Sequence, residues 1–154
     1  MVKVIFVCLG NICRSPMAEA VFRDMVEKEG LADKIQIDSA ATSTWEQGNP
    51  VHQGTVDRLA KENISTKGMF SRTLEDKDLD YDYIVGMDES NIKNIKKFVA
   101  GRESGQIKML LEYAGDKSSI ADPWYTGDFD KTYQDVLRGT RALLEVIKGD
   151  LRNG

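Results

Sequence analysis

Apolar positions along this chain change period from one segment to the next. Val4-Ile5-Phe6-Val7 is an unbroken apolar run, which predicts a strand covered on both faces. The run stops at Cys8, and Gly10 and Asn11, two residues that tolerate positive φ, predict a tight loop. Ser15-Pro16 then reads as a helix start, with Ser15 at the N-cap and Pro16 at the first helical position. Met17, Val21 and Met25, with Ala18, Phe22 and Val26, recur at helical spacing. Glu19, Arg23, Asp24 and Glu27 take the opposite face, and Gly30 is the stop.

Further on, Ile35-Gln36-Ile37-Asp38-Ser39 alternates as a strand, and Ala40 to Pro50 is a small-residue loop that carries Trp45. Asn49-Pro50 marks the next helix start, with Val56, Leu59 and Ala60 as its apolar face, and Gly68 to Asp80 is polar and irregular. Tyr83 to Met87 predicts a third strand, followed by a helix with Ile92, Ile95 and Val99 on one side. Ile107 to Leu110 predicts a fourth strand. Tyr113 to Gly127 has no regular period and is long for a connection, which marks it as a functional loop. The last helix starts near Asp128 and carries Tyr133, Val136, Leu137, Leu144 and Ile147 on its stripe. Strands alternating with helices predict right-handed βαβ units, a parallel sheet, and a ligand site at the carboxyl ends of the strands, where Cys8 and Ser39 fall.

Composition narrows the function. A length of 154 residues predicts one domain spanning 1–154, large enough to bury roughly 70% of the surface of its unfolded chain. A net charge of -4 with no block of Lys or Arg argues against nucleic acid as a partner. No apolar run reaches the ~20 residues of a membrane span, and the N-terminus enters a strand too soon for a signal peptide. Two cysteines five apart suit a reducing, cytoplasmic setting better than a disulfide framework. His52 is the only histidine, which removes a multi-histidine metal site and disfavours a histidine-activated nucleophile; its helix-start context reads as a solvated side chain.

The candidate chemistry lies in the first loop. Backbone N–H groups between Cys8 and Arg14 can turn inward as an anion-binding nest, and the helix start adds its unsatisfied amides and dipole. Arg14 supplies a planar fork that matches two phosphate oxygens. A thiol on the floor of that cradle sits in positive potential, which favours the nucleophilic thiolate. Strand, Cys8-x5-Arg14-Ser15 and helix together read as a phosphoryl-transfer site. No Gly-Lys-Ser/Thr follows Gly10 and no second glycine accompanies it, so neither a Walker loop nor a dinucleotide fingerprint fits.

Val7-Cys8-Leu9-Gly10-Asn11-Ile12-Cys13-Arg14-Ser15-Pro16 resembles the signature loop of the low-molecular-weight protein tyrosine phosphatases. The resemblance continues through Asp38-Ser39-Ala40, Met87-Asp88-Glu89-Ser90-Asn91 and Asp122-Pro123-Trp124-Tyr125, and so covers essentially the whole chain. It implies a three-layer α/β fold, a four-stranded parallel sheet with helices on both faces. It also implies a cysteine-dependent phosphatase that needs no cofactor or metal, acts on tyrosine-phosphorylated proteins or peptides and releases inorganic phosphate.

Within that resemblance Cys8 forms a phosphocysteine, Arg14 clamps the equatorial oxygens, and Leu9, Gly10, Ile12 and Cys13 complete the cradle. A poor leaving group such as a phenolate, with a conjugate acid near pKa ~10, benefits from a proton in the transition state. Fifteen aspartates leave that donor open on spacing alone. The match of Asp122-Pro123 to the family's Asp-Pro-aromatic-aromatic form selects Asp122, which a bound phosphate dianion would help to stay protonated. Ser15 can donate to the Cys8 thiolate, Asn11 can carry the loop through a left-handed conformation, and Ser39 resembles the serine that braces it. Trp45, Trp124 and Tyr125 look like walls of a cleft for an aromatic leaving group. The chain departs from the family at Gly68-Met69-Phe70-Ser71-Arg72, so the resemblance leaves the support around Asp88 open.

Arsenate reduction fits poorly, because no cysteine follows Cys13 to resolve an intermediate. A related protein-arginine phosphatase group tends to carry threonine where this chain has Ile12, which favours phosphotyrosine. A passive phosphocarrier or oxyanion-binding domain would have no use for Asp122. Cys13, five residues from Cys8 in a tightly curled loop, is a candidate partner for a protective disulfide.

Overall fold

The computed structural model describes residues 1–153. Four strands, β1 (Val2–Cys8), β2 (Ile35–Ala41), β3 (Tyr83–Gly86) and β4 (Gln106–Met109), form one sheet in the order β2-β1-β3-β4. All three pairings are parallel. The helices are α1 (Arg14–Lys28), α2 (Gln53–Ala60), α3 (Glu89–Val99), α4 (Pro123–Thr126) and α5 (Phe129–Asn153). Two 3₁₀ turns, Asp76–Asp80 and Leu110–Ala114, lie between them. The three-layer α/β arrangement expected from the sequence is therefore present.

The unbroken run in β1 has a simple cause. Val4, Phe6 and Cys8 join the core cluster built with α1 and α5, while Ile5 and Val7 join Ile95 and Val99 of α3 on the other face. Residues of alternate parity thus enter two different cores, and neither face can be polar. Phe6 meets Phe22 of α1 edge-on, with ring centroids 5.6 Å apart. Among the described residues no helix is long and apolar enough to cross a membrane.

The strand order reverses between β1 and β3, each flanked by its sequence neighbour on the outer side. The carboxyl ends of β1 and β3 therefore face a common crevice, where an open parallel sheet binds its ligand. Cys8 ends β1 and Met87-Asp88 leave β3 at the same edge.

Several element boundaries differ from expectation. Helix α1 begins at Arg14 with Cys13 at the N-cap and no side-chain cap, because the Ser15 hydroxyl is turned to Cys8 instead. Strand β2 runs two residues beyond Ser39, to Ala41, drawn out by pairing opposite Cys8. Helix α2 starts at Gln53 rather than beside Pro50, since Pro50 is held in an isolated antiparallel bridge with Phe70. Strand β4 is shifted one residue towards the N-terminus, and Leu110 opens a 3₁₀ turn. The Tyr113 to Gly127 segment is irregular apart from the end of that turn and the four-residue α4. His52 is a half-buried N-cap rather than a solvated side chain: its ring stacks on Phe129 and meets the edge of Trp124.

Two glycines of α5 test how far packing overrides helix propensity. Propensity alone favours Gly→Ala in a helix by about 1 kcal/mol. A Cβ at Gly139 would lie 2.5 Å from Cγ of the fully buried Leu110, whereas one at Gly149 would meet nothing closer than an arginine nitrogen at 3.9 Å. Gly149→Ala is expected to raise the urea midpoint and Gly139→Ala to lower it; a rise in both would mean that Leu110 yields freely.

Candidate active site

The loop from Cys8 to Arg14 is shaped by where its carbonyls go. The Cys8 carbonyl accepts from Thr42 N at 3.0 Å, and that of Leu9 accepts from Ser43 N at 3.2 Å and from Ser43 Oγ at 2.8 Å. The Gly10 carbonyl accepts from Ser71 Oγ at 2.8 Å, and that of Ile12 from His52 N at 2.8 Å. Thr55 Oγ1 donates to the Cys13 carbonyl at 3.2 Å. In a planar trans peptide the C=O and the following N–H point in opposite directions. Carbonyls tied outward therefore leave the N–H groups of Leu9, Gly10, Asn11, Cys13 and Arg14 aimed into the loop.

Asn11 makes the turn possible. It sits in the left-handed region at φ 57, which asparagine tolerates better than most residues. Its Nδ2 donates to Ser15 Oγ at 2.8 Å and to Ser39 Oγ at 2.9 Å, while Oδ1 accepts from Arg72 N at 3.1 Å. Its own backbone N–H donates to Cys8 Sγ at 3.3 Å. Ser39 in turn donates to Glu19 Oε1 at 2.5 Å. With the Asn11 amide occupying the Ser15 oxygen as donor, the Ser15 hydroxyl proton is free for Cys8 Sγ, 3.0 Å away. Asn11, braced by Ser39 and Glu19, thus leaves two donors on the sulfur, its own backbone N–H and the Ser15 hydroxyl.

Arg14 is 3% exposed although it carries a full charge. Its Nη1 donates to Asp88 Oδ2 at 2.7 Å and to the Ile120 carbonyl at 2.8 Å, and its Nη2 lies 3.6 Å from Asp122 Oδ2. Burial works against that charge. Cys8, Asp88 and Asp122 outweigh it and hold the guanidinium above its ordinary range. Asp122 caps α4, its Oδ1 accepting from Trp124 N at 3.0 Å, so the carboxyl is steered over the cradle. Burial, first, and then the negative charges of Asp122 and Cys8 push the Cys13 thiol up to about 12, so that sulfur stays protonated at neutral pH.

A cleft of about 180 Å³ opens over these groups, lined by Cys8, Leu9, Gly10, Ile12, Cys13, Arg14, Asp122, Trp45, Trp124, Tyr125 and Glu46. The structure brings Cys8, Arg14 and Asp122 together, and Asn11, Ser15 and Ser39 stand behind the loop as its bracing. Trp45, Trp124 and Tyr125 form an open rim, at 76%, 56% and 79% exposure, rather than a deep wall. Sequence reasoning missed Asp88 as the partner of Arg14, Glu19 as the far end of the bracing, and Glu46 beside Gly10. It also left Ser71 and Arg72 without a role. These two supply the donors to Gly10 and Asn11, while the Arg72 side chain is itself held by Asp38 and the buried Asp78.

The family model for the low molecular weight phosphotyrosine protein phosphatases matches residues 3–153. A low molecular weight protein-tyrosine-phosphatase of Bacillus subtilis, YfkJ, is 46% identical over 96% of this chain and 97% of its own. PtpA of Staphylococcus aureus, of the same description, is 45% identical over 97% and 96%. The crystal structure of YfkJ superposes with a TM-score of 0.93 at 45% identity, covering 97% of this chain and 96% of that one. A Drosophila arginine phosphatase superposes with a TM-score of 0.88 at 31% identity, over 95% and 98%. A thiol on the floor of an inward-facing amide loop, with this breadth of likeness, leaves one assignment: the chain belongs to the low molecular weight phosphotyrosine protein phosphatases and is a cysteine-dependent phosphatase.

Proposed function

We propose that the chain hydrolyses phosphotyrosine in proteins or peptides through a phosphocysteine at Cys8. The observation that carries this reading is the position of Cys8 Sγ, which accepts from Asn11 N and Ser15 Oγ on the floor of a loop whose amides converge above it. The Cys8 thiolate attacks phosphorus in line, the bond from phosphorus to the aryl oxygen breaks, and Asp122 gives its proton to the departing oxygen. Arg14 and the loop amides hold the three equatorial oxygens as charge redistributes. Water then attacks the phosphocysteine. Asp122 takes its proton, the phosphorus–sulfur bond breaks, and inorganic phosphate leaves with the thiolate restored.

Ile12 and the aromatic rim support an aryl ester as substrate, because an apolar loop edge and flanking rings suit a flat phenol more than the short serine side chain. The likeness to an arginine phosphatase makes phosphoarginine the second reading. Matched peptides carrying phosphotyrosine, phosphoserine or phosphoarginine decide between them. The highest kcat/KM is expected on phosphotyrosine; a higher value on phosphoarginine would reverse the assignment. Asp122→Asn is expected to lose about 10²–10⁴-fold on phosphotyrosine and much less on esters of acidic phenols. A loss independent of the leaving group would make Asp122 structural.

Redox protection by Cys13 belongs to the same proposal. Peroxide converts the Cys8 thiolate to a sulfenic acid, and attack by the Cys13 sulfur closes a disulfide with loss of the sulfenic oxygen as hydroxide. Oxidation also removes the Cys8 negative charge, one of the causes that keep Cys13 protonated. Peroxide-treated wild type is expected to regain activity in dithiothreitol, faster closure being favoured as pH rises, and Cys13→Ser to stay inactive. Equal recovery in both would leave Cys13 as packing.

A further inference from the structure

His52 is the only histidine, it does not line the cleft, and no step of the reaction uses it. Yet its contacts join three separate pieces of the site. Its backbone N–H donates to the Ile12 carbonyl of the phosphate loop at 2.8 Å. Its ring Nδ1 accepts from Gly54 N at 3.0 Å and caps α2. The ring lies nearly parallel to Phe129 at the start of α5, 5.1 Å between centroids and 20° between planes. It also meets the Trp124 ring at 5.6 Å and 80°, an edge-to-face contact.

Trp124 is the residue whose backbone N–H orients the Asp122 carboxyl. Its ring is more than half exposed, and among the described residues the only aromatic ring it meets is that of His52. Phe129 closes the arrangement from behind: a Cβ at Gly54 would fall 2.3 Å from its Cζ, so only glycine lets the ring press against the first turn of α2. Thr55, in the same turn, is fully buried and bonded to the Cys13 carbonyl. The first turn of α2 is thus fastened to the phosphate loop at one end and carries an imidazole against the acid-bearing turn at the other.

We infer that the His52 ring is a positioning residue for Asp122: a strut that fixes the distance between the acid-bearing turn and the phosphate loop. The inference rests on the reading of Asp122 as the acid that protonates the leaving group. Cap and strut are separable by substitution. Asparagine at position 52 keeps a side-chain acceptor for Gly54 N but removes the ring, whereas phenylalanine keeps a ring and removes the acceptor. Both keep the backbone N–H on the Ile12 carbonyl.

The test is kcat/KM, which reports the step that expels the leaving group, measured on aryl phosphates from p-nitrophenyl to phenyl phosphate. His52→Asn is expected to melt near wild type and to lose about 10–100-fold on phenyl phosphate, with the loss shrinking as the phenol becomes more acidic. His52→Phe is expected to melt lower and to recover most of that loss. Wild-type rates for His52→Asn on phenyl phosphate, or one uniform loss over all esters, would overturn the strut. Asp122→Asn run beside them separates the two failures. If its loss grows with the basicity of the phenol while that of His52→Asn does not, the strut alone falls. If neither grows, the reading of Asp122 falls and takes the strut with it.

Discussion

Everything in this molecule near Cys8 follows from one geometric demand: amide protons converging on a point require that the matching carbonyls diverge. Each diverging carbonyl needs a donor outside the loop, or it would cost about 1–3 kcal/mol as an unsatisfied buried acceptor. Those donors come from Thr42 and Ser43 after β2, from Ser71, and from His52 and Thr55 at the start of α2. The irregular chain between β2 and β3 is therefore not filler. It wraps the outside of the phosphate loop because that is where its hydrogen-bonding capacity is needed.

Charge is arranged on the same frame. Arg14 is fixed by Asp88 across the crevice between β1 and β3, so the guanidinium is oriented before any ligand arrives. Hydrogen bonds to charged, buried groups contribute about 1.5–3 kcal/mol each, whereas an exposed pair such as Lys3–Asp80 is screened by solvent and holds little. Orientation of the site is thus held by a few interior contacts and not by the many surface pairs. Asp88 serves twice. Its Oδ1 accepts from Asn91 N at 2.7 Å and starts α3, while Oδ2 takes Arg14. A helix start, a strand end and the buried Arg14 guanidinium are locked by one carboxylate.

How much of this was legible depended on distance along the chain. Strand, turn residues, thiol, guanidinium and helix start all fall within Val4 to Pro16, so Cys8, Asn11 and Arg14 declare themselves locally. Asp122 was reached through resemblance, because nothing local separates it from the other aspartates. Asp88 enters the sequence reading only through the resemblance at Met87 to Asn91; its place as the N-cap of α3 and its hold on Arg14 appear only once β3 pairs beside β1. Ser15 looked like a cap and is not, since the sulfur competes for its hydroxyl. The sequence around His52 predicts a helix start, which is present, and a solvated ring, which is not, because Phe129 and Trp124 reach it only through the tertiary fold. Helical spacing puts Glu19 on the face of α1 opposite the apolar stripe, yet it is buried there, where it holds Ser39.

The central claim is that the converging loop serves covalent transfer to sulfur and does not merely bind an anion. The most direct measurement is rapid acid quenching of Asp122→Ala during turnover of p-nitrophenyl phosphate, followed by peptide mass spectrometry. A phosphoryl group on the peptide that contains Cys8, absent when Cys8 is replaced by serine, is the expected result. Release of p-nitrophenol with no phosphoryl group on Cys8 at any quench time, or a phosphoryl group on another residue, would contradict it.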